Sequence, residues 1–256
     1  MKRKKIKMSH KRAIVGTLLC ALSMFSGALI ADDSGVNSDI QAQRINQPYE
    51  AQYVVTRRGR EHGEALRRLQ AEENNTFSYF TVTDVSFLFL SDTREQVTAF
   101  RFERGQVQPI SYQYKRTGTG EDEARNYRFE AEAEQLTNGN GDRIDVEWSE
   151  ALLDVNSVLH QLQFDLSSGA TEFSYRVLDE HGREDTYTFE IEGDETLTLP
   201  YGTVDTVRVK RIRESNRRET FIWFSPLLNY SIVQMQQLKE GKEQAKLSLR
   251  SLRYAS

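Results

Sequence analysis

The sequence predicts an all-β domain: a strongly curved antiparallel sheet or open β-barrel, lipocalin-like or lipoprotein-carrier-like, with one amphipathic helix. Three observations carry this. From Pro48 onward, successive runs alternate apolar with polar residues at period two, as half-buried antiparallel strands do. Turn-forming residues punctuate these runs at regular intervals, the pattern of a meander, sandwich or barrel. A single segment switches to intervals of three and four: Leu152, Val155, Leu159, Leu162 and Leu166.

The elements follow in order. Residues 1–12 are strongly basic, Ala13 to Ala31 are mostly apolar, and Asp32-Asp33-Ser34 ends the stretch. Charge, then an apolar run, then small residues is the layout of a secretory signal. Ser26-Gly27-Ala28 and Leu29-Ile30-Ala31 offer two cleavage points. The alternative is an uncleaved anchor, because these 19 residues fall within the roughly 17–25 that span a bilayer. Gly16, Thr17, Ser23, Ser26 and Gly27 dilute the run and favour cleavage. Either way the remainder leaves the cytoplasm, and the periplasm is the expected location. Cys20, the one cysteine, follows Leu19 where a lipoprotein signal wants a small residue. It therefore reads as part of the signal, leaving no thiol or disulfide beyond it.

Residues 32–47 are polar and aperiodic and read as a flexible leader. Residues 48–256 read as a single β-rich domain. Tyr49 to Val55 begin it, Arg58 to Gly63 supply turn residues, and Glu64 to Glu73 return as a hairpin partner. Thr76 to Leu90 form a long aromatic strand, and Val97, Ala99 and Arg101 alternate with Thr98, Phe100 and Phe102 before Gly105 turns the chain. Ser111 to Tyr114, Tyr127 to Ala131, Phe173 to Val177 and Tyr187 to Glu192 alternate likewise, with a turn at His181-Gly182. Asp154 can cap the helix with an acceptor oxygen and Gly169 can end it. Its apolar stripe belongs on the concave side or at an open end of the sheet.

Composition excludes several classes. Lys plus Arg number 34 and Asp plus Glu 38, a net charge of −4. The first 31 residues hold seven of the basic residues and none of the acidic ones, so the rest carries −11. An acidic chain does not neutralise nucleic-acid phosphates. Mean hydropathy of −0.63 rules out repeated membrane spans.

One ordered set of motifs stands out. Trp148 precedes Asp154-Val155-Asn156-Ser157-Val158-Leu159-His160-Gln161-Leu162. Then come Leu199-Pro200-Tyr201-Gly202-Thr203-Val204-Asp205-Thr206-Val207 and Trp223-Phe224-Ser225-Pro226-Leu227-Leu228-Asn229-Tyr230-Ser231-Ile232-Val233. In this order the chain resembles an exported bacterial family known as domain of unknown function 3108, across most of residues 48–254. Such proteins usually carry Pro where Ile232 stands, a departure at a strand start. The resemblance implies a Gram-negative envelope protein with a β-rich domain, and it assigns no catalytic residue.

The same motifs make sense physically. Gly202 after Pro200-Tyr201 is a tight turn into a strand, and Pro226 ends a later one. Val207 and Val209 share one strand face, and Arg208 and Lys210 the other. With Phe221 and Trp223 on one face of the next strand, the two strands are expected to set an aromatic-aliphatic inner face against a basic outer one.

Reactive constellations are missing from the sequence. It has no HExxH, CxxC, GxSxG, SxxK, Walker A or GxGxxG pattern. His62 and His181 read as exposed loop residues, and His160 as a rim or surface residue of the helix. Glu121-Asp122-Glu123 and Asp142-x-x-Asp145 read as solvated carboxylates, and Asn138 to Asp142 as a hairpin turn in preference to a calcium loop. The expectation is therefore a non-enzymatic protein without metal or cofactor.

Two features point to binding. Val85 to Leu90 is apolar on both faces and needs cover on both, from plain core packing or from a pocket for an acyl chain. Arg208, Lys210, Arg211, Arg213, Arg217 and Arg218 form a basic cluster, which attracts anionic headgroups or else guards a strand by pairing with Glu214 and Glu219. The expected function is to hold a lipid or other amphiphilic envelope molecule, with Phe87, Phe89, Phe221 and Trp223 as wall and Arg208 and Lys210 at the headgroup. The alternative is an envelope protein-interaction or assembly factor with a filled core. Membrane contact is expected to be peripheral or through an uncleaved signal.

Overall fold

Alternation at period two gives each strand one face to bury, and curling a sheet lets those faces bury one another. The computed structural model describes residues 33–255; the signal segment and Cys20 lie outside them. A helix α1 (Asp33–Ile45) precedes β1 (Tyr49–Arg57), β2 (Arg60–Ala71), β3 (Thr76–Phe87), β4 (Leu90–Glu103), β5 (Gln106–Gly118), β6 (Glu123–Glu130) and β7 (Gln135–Asn138). Then come β8 (Leu153–Asp154), the helix α2 (Ser157–Ser167), β9 (Phe173–Leu178), β10 (Glu184–Leu199), β11 (Gly202–Ile212), β12 (Arg218–Ser225), β13 (Ser231–Lys239) and β14 (Lys242–Tyr254).

All fourteen strands form one sheet, in the order β7-β6-β5-β4-β3-β2-β1-β14-β13-β12-β11-β10-β9-β8. Two meanders are joined at its middle, where β1 pairs with β14 and so ties the two halves of the domain together. The pairings are antiparallel except for the short β8–β9 contact. The sheet is curved but unclosed, with β7 and β8 as its free edges. The all-β expectation holds, and so do most strand positions.

The helix α2 is inserted against this sheet. Its start follows the sequence logic. Asp154 Oδ1 accepts the N–H of Ser157 at 3.0 Å and that of Asn156 at 2.9 Å. Gly169 follows its end at φ +79°, a left-handed position that favours glycine. Gln161 holds α2 to the β4–β5 turn: its Oε1 accepts the Val107 N–H at 2.8 Å and its Nε2 donates to Gly105 O at 3.0 Å. Gly105 itself is left-handed at φ +79°, and a β-carbon there would lie 2.9 Å from Phe164 Cε1. Gly105→Ala is therefore expected to cost about 1–2 kcal/mol in a chemical denaturation curve, for the φ penalty plus a displaced Phe164 ring.

Three expectations need correction here. The segment read as a flexible leader contains α1, and its end is part of the core: Ile45 is buried, and Asn46 Oδ1 lies 2.9 Å from His160 Nε2. One apolar residue at the end of a polar helix creates no periodicity for a sequence reading to detect. His160 is correspondingly not at a rim. It is fully buried, with ring centroids 5.6 Å from Tyr79 and 5.2 Å from Phe100. His62 lies within β2, half-buried, and not in a loop. His181 stands in the turn expected of it.

Candidate functional site

The inner face of the sheet and one side of α2 enclose a cavity of about 440 Å³. Small-molecule pockets occupy about 300–1,000 Å³. Val155, Val158 and Leu159, at the start of α2, supply its helical wall. Ile222, Met235 and Leu247, from β12, β13 and β14, supply an aliphatic side, and Val55, Ala65 and Val85 extend it across β1, β2 and β3. Each is an alternate residue of its strand, so one period-two face from each strand suffices.

The same cavity is lined by charge. Arg67, Arg94, Arg211 and Arg213 face it, as do Asp92 and Glu180. Arg94 is paired with Asp92 at 2.8 Å. Arg67 is buried and donates to Tyr79 Oη at 3.1 Å. Arg211 lies over the Tyr187 ring, 3.1 Å from its centroid, and reaches Asp185 at 3.0 Å. Arg213 Nη2 donates to Thr220 Oγ1 at 3.2 Å. Burial, and then the charge of Arg211, hold Arg213 below the ordinary guanidinium range. Arg211 and Arg213 also line a second groove together with Arg217, Arg218 and Lys239 and the carboxylates Glu184, Asp185 and Glu214, so the cavity wall continues into a rim of mixed charge.

The structure brings four of the six sequence-predicted site residues together, on the other face of the sheet. In the β11–β12 register Arg208 opposes Trp223, Lys210 opposes Phe221, and Val209 opposes Ile222. Directly opposed residues share a face. Phe221 and Trp223 therefore lie with Arg208 and Lys210, not with the valines, and the expected aromatic-aliphatic inner face is corrected. Arg208 Cζ sits 4.4 Å from the Phe221 centroid and 5.3 Å from that of Trp223. Glu192 pairs with Arg208 at 2.9 Å, Glu219 pairs with Lys210 at 2.9 Å, and the Trp223 indole N–H donates to Glu195. The aromatic rings are covered by long charged side chains, with Ile222 turned to the cavity.

Phe87 and Phe89 are not brought to this group. Phe87 ends β3. Phe89 belongs to the turn before β4 and is 98% exposed, flanked by exposed Leu88 and Leu90. The expectation that Val85 to Leu90 is a strand covered on both sides is corrected: Phe87 pairs with Leu90 across a hairpin tip. Leu88 takes the left-handed φ of +56° without being Gly or Asn, so no turn residue marks the site in the sequence.

The inward arginines are what the sequence reading passed over. A signal existed in the alternation Ala65-Arg67-Leu69, where a charged residue keeps step with buried ones. The basic cluster of β11 likewise divides by parity, with Arg208 and Lys210 out and Arg211 in, and Arg213, just past the strand, also lines the cavity.

Among the described residues no three His, Cys, Asp or Glu side chains converge as metal ligands, and no described helix is long and apolar enough to cross a membrane.

The profile of the family described as "Protein of unknown function (DUF3108)" matches residues 49–248. The chain belongs to that family. No curated protein matches it. Among solved structures, the DUF3108 fold is similar to a beta-barrel-like protein of domain of unknown function DUF1849 from Brucella abortus, with TM-score 0.55 and 10% identity over 82% of this chain and 98% of that one. Weaker likenesses include MucB in its complex with MucA from Pseudomonas aeruginosa, with TM-score 0.36 and 10% identity over 88% of this chain and 58% of that one. A putative exported protein with YmcC-like fold from Bacteroides fragilis has TM-score 0.32 and 10% identity over 81% of this chain and 96% of that one. The first of these supports a barrel-like fold for the DUF3108 domain and says nothing about its ligand.

Proposed function

We propose that this DUF3108 protein is a non-enzymatic periplasmic binding protein that holds an amphiphilic envelope molecule inside its curved sheet. The observation that carries the reading is the cavity, with an aliphatic lining closed along one side by α2 and charged residues set into the same wall. Apolar surface grips a hydrocarbon chain without directionality, and the few polar groups orient the other end. The N-terminal pattern of charge, apolar run and small residues supports delivery to the periplasm. Native mass spectrometry of the protein after gentle periplasmic extraction is expected to show a co-purifying amphiphile. Ala245 lines the cavity on β14. Ala245→Trp fills space there and is expected to remove the bound mass while circular dichroism retains the β signal. A bare wild-type chain, extracted under the same gentle conditions, counts against the reading.

A second reading, docking to an envelope protein, rests on Leu88, Phe89 and Leu90, three consecutive exposed apolar residues at the β3–β4 tip. Its test is a pull-down from intact envelope with wild type and with Leu88→Ser/Phe89→Ser. A protein captured by the first and lost with the second supports it, and equal capture sinks it.

A further inference from the structure

The cavity carries a specific polar feature that a hydrocarbon chain leaves unused. Nη1 of Arg213 and Nε of Arg211 are buried without a hydrogen-bond partner in the protein. A buried guanidinium N–H is costly when unpaired, because its hydration is lost and nothing replaces it. Arg213 makes no ion pair with any described carboxylate, and Arg67, in the same cavity, makes none either. The one carboxylate paired with Arg211 is that of Asp185, whose own side chain is 57% exposed. Arg211, near the end of β11, and Arg213, just beyond it, thus present donors and positive charge to a cavity whose wall mixes aliphatic side chains with polar ones, Asp92 and Glu180 among them.

We propose that Arg211 and Arg213, with the Thr220 hydroxyl, form a subsite for the oxyanion head, phosphate or carboxylate, of an amphiphile whose chain lies against Val158, Leu159, Ile222 and Met235. The proposal rests on the cavity reading above and deepens it by stating the charge of the ligand. Guanidinium groups match phosphate and carboxylate oxygens through planar, paired N–H donors, which a lysine does not reproduce. Burial, and after it the charge of Arg211, hold Arg213 below its ordinary range, and an oxyanion between the two arginines offsets both. Arg217, Arg218 and Lys239 stand in the adjoining groove, among the carboxylates Glu184, Asp185 and Glu214. Arg208 and Lys210 are excluded from this role by parity, since they lie on the other face with their charges paired.

The test uses the full exported protein, delipidated and refolded, with calorimetry of dodecyl phosphate, dodecanol and inorganic phosphate. Dodecyl phosphate is expected to bind roughly tenfold to a hundredfold more tightly than dodecanol, the range of a charge-assisted pair. That advantage is expected to disappear in Arg213→Gln and to be partly kept in Arg213→Lys. Equal binding of the phosphate and the alcohol overturns the anionic subsite but leaves the cavity reading standing. Binding of neither overturns both. Inorganic phosphate matching dodecyl phosphate supports the anion site and overturns the chain-binding cavity. If Arg208→Gln/Lys210→Gln abolishes the phosphate advantage while Arg213→Gln keeps it, the head sits on the outer face and the proposal fails. Because the comparison of probes is made on wild type, a poorly folding variant does not rescue it.

Discussion

Asp154→Ala is expected to destabilise the domain by about 2–4 kcal/mol, because several buried donors lose their acceptor at once. Asp154 is fully buried where β8 leads into α2. Its Oδ1 accepts from Thr98 Oγ1 at 2.8 Å as well as from the N–H groups of Asn156 and Ser157, and its Oδ2 accepts from Ser157 Oγ at 2.8 Å. Burial raises the carboxyl above its ordinary value, and these hydrogen bonds pull it back down. Alanine leaves backbone and hydroxyl donors unpaired in the interior. It also loosens Asn156, whose Nδ2 donates to Tyr79 O at 2.8 Å and whose Oδ1 accepts from Thr81 at 3.2 Å. The knot is what ties α2 to β3 and β4. Guanidinium unfolding at neutral pH measures the loss, and Asp154→Asn, which keeps an acceptor for the helix start, is expected to recover part of it. A midpoint for Asp154→Ala within experimental error of wild type would show that α2 is held by its apolar side and the Gln161 hydrogen bonds without this knot.

Acidification is expected to weaken the domain through His160. Burial holds this imidazole down to about 4, against about 6.5 in an unfolded chain. Above the unfolded value both states are neutral and the full stability is present. As pH falls below it the unfolded chain takes up a proton that the folded chain refuses, so stability is lost down to the folded value. The whole window is worth about 3 kcal/mol, of which about 2 kcal/mol is lost by pH 5. Its neighbours are Asn46, Gln163, Tyr79, Phe100 and Phe102, none of which supplies a negative charge to hold the imidazolium, although the Gln163 hydrogen bond partly offsets burial. Asp154 and Asp165 act in the opposite sense, because burial raises both, and they gain protons in the folded state first. The His160 share is therefore isolated by comparing wild type with His160→Leu. Between pH 7.5 and 5 the wild type is expected to lose about 2 kcal/mol more than the variant. Parallel pH profiles for the two would remove His160 from the account.

Much of the fold was legible because β-structure writes its period into the sequence. Tyr127 and Phe129 alternate with Arg128 and Glu130, and β6 buries the first pair and exposes Arg128. The α2 segment was legible for the same reason, as were its cap and its end. The candidate site was much less so. Phe87-Leu88-Phe89-Leu90 contains no residue suited to a turn, yet the chain reverses there, because the pairing of β3 with β4 overrides local preference. Asn46 and His160 sit far apart in sequence, and only the fold sets the end of α1 against His160 beside Tyr79, Phe100 and Phe102.

The amino-acid sequence by itself determined that this chain makes strands with one face to hide, where α2 begins and ends, and that basic residues gather on and just after β11. Tertiary structure alone decided which of those residues look inward. Strand alternation specifies two faces but not their assignment, and a register change of one residue exchanges them. The pairing of Lys210 with Phe221 and of Arg211 with Thr220 made that choice, placing one set of cations on the outer surface and the other in the wall of the cavity.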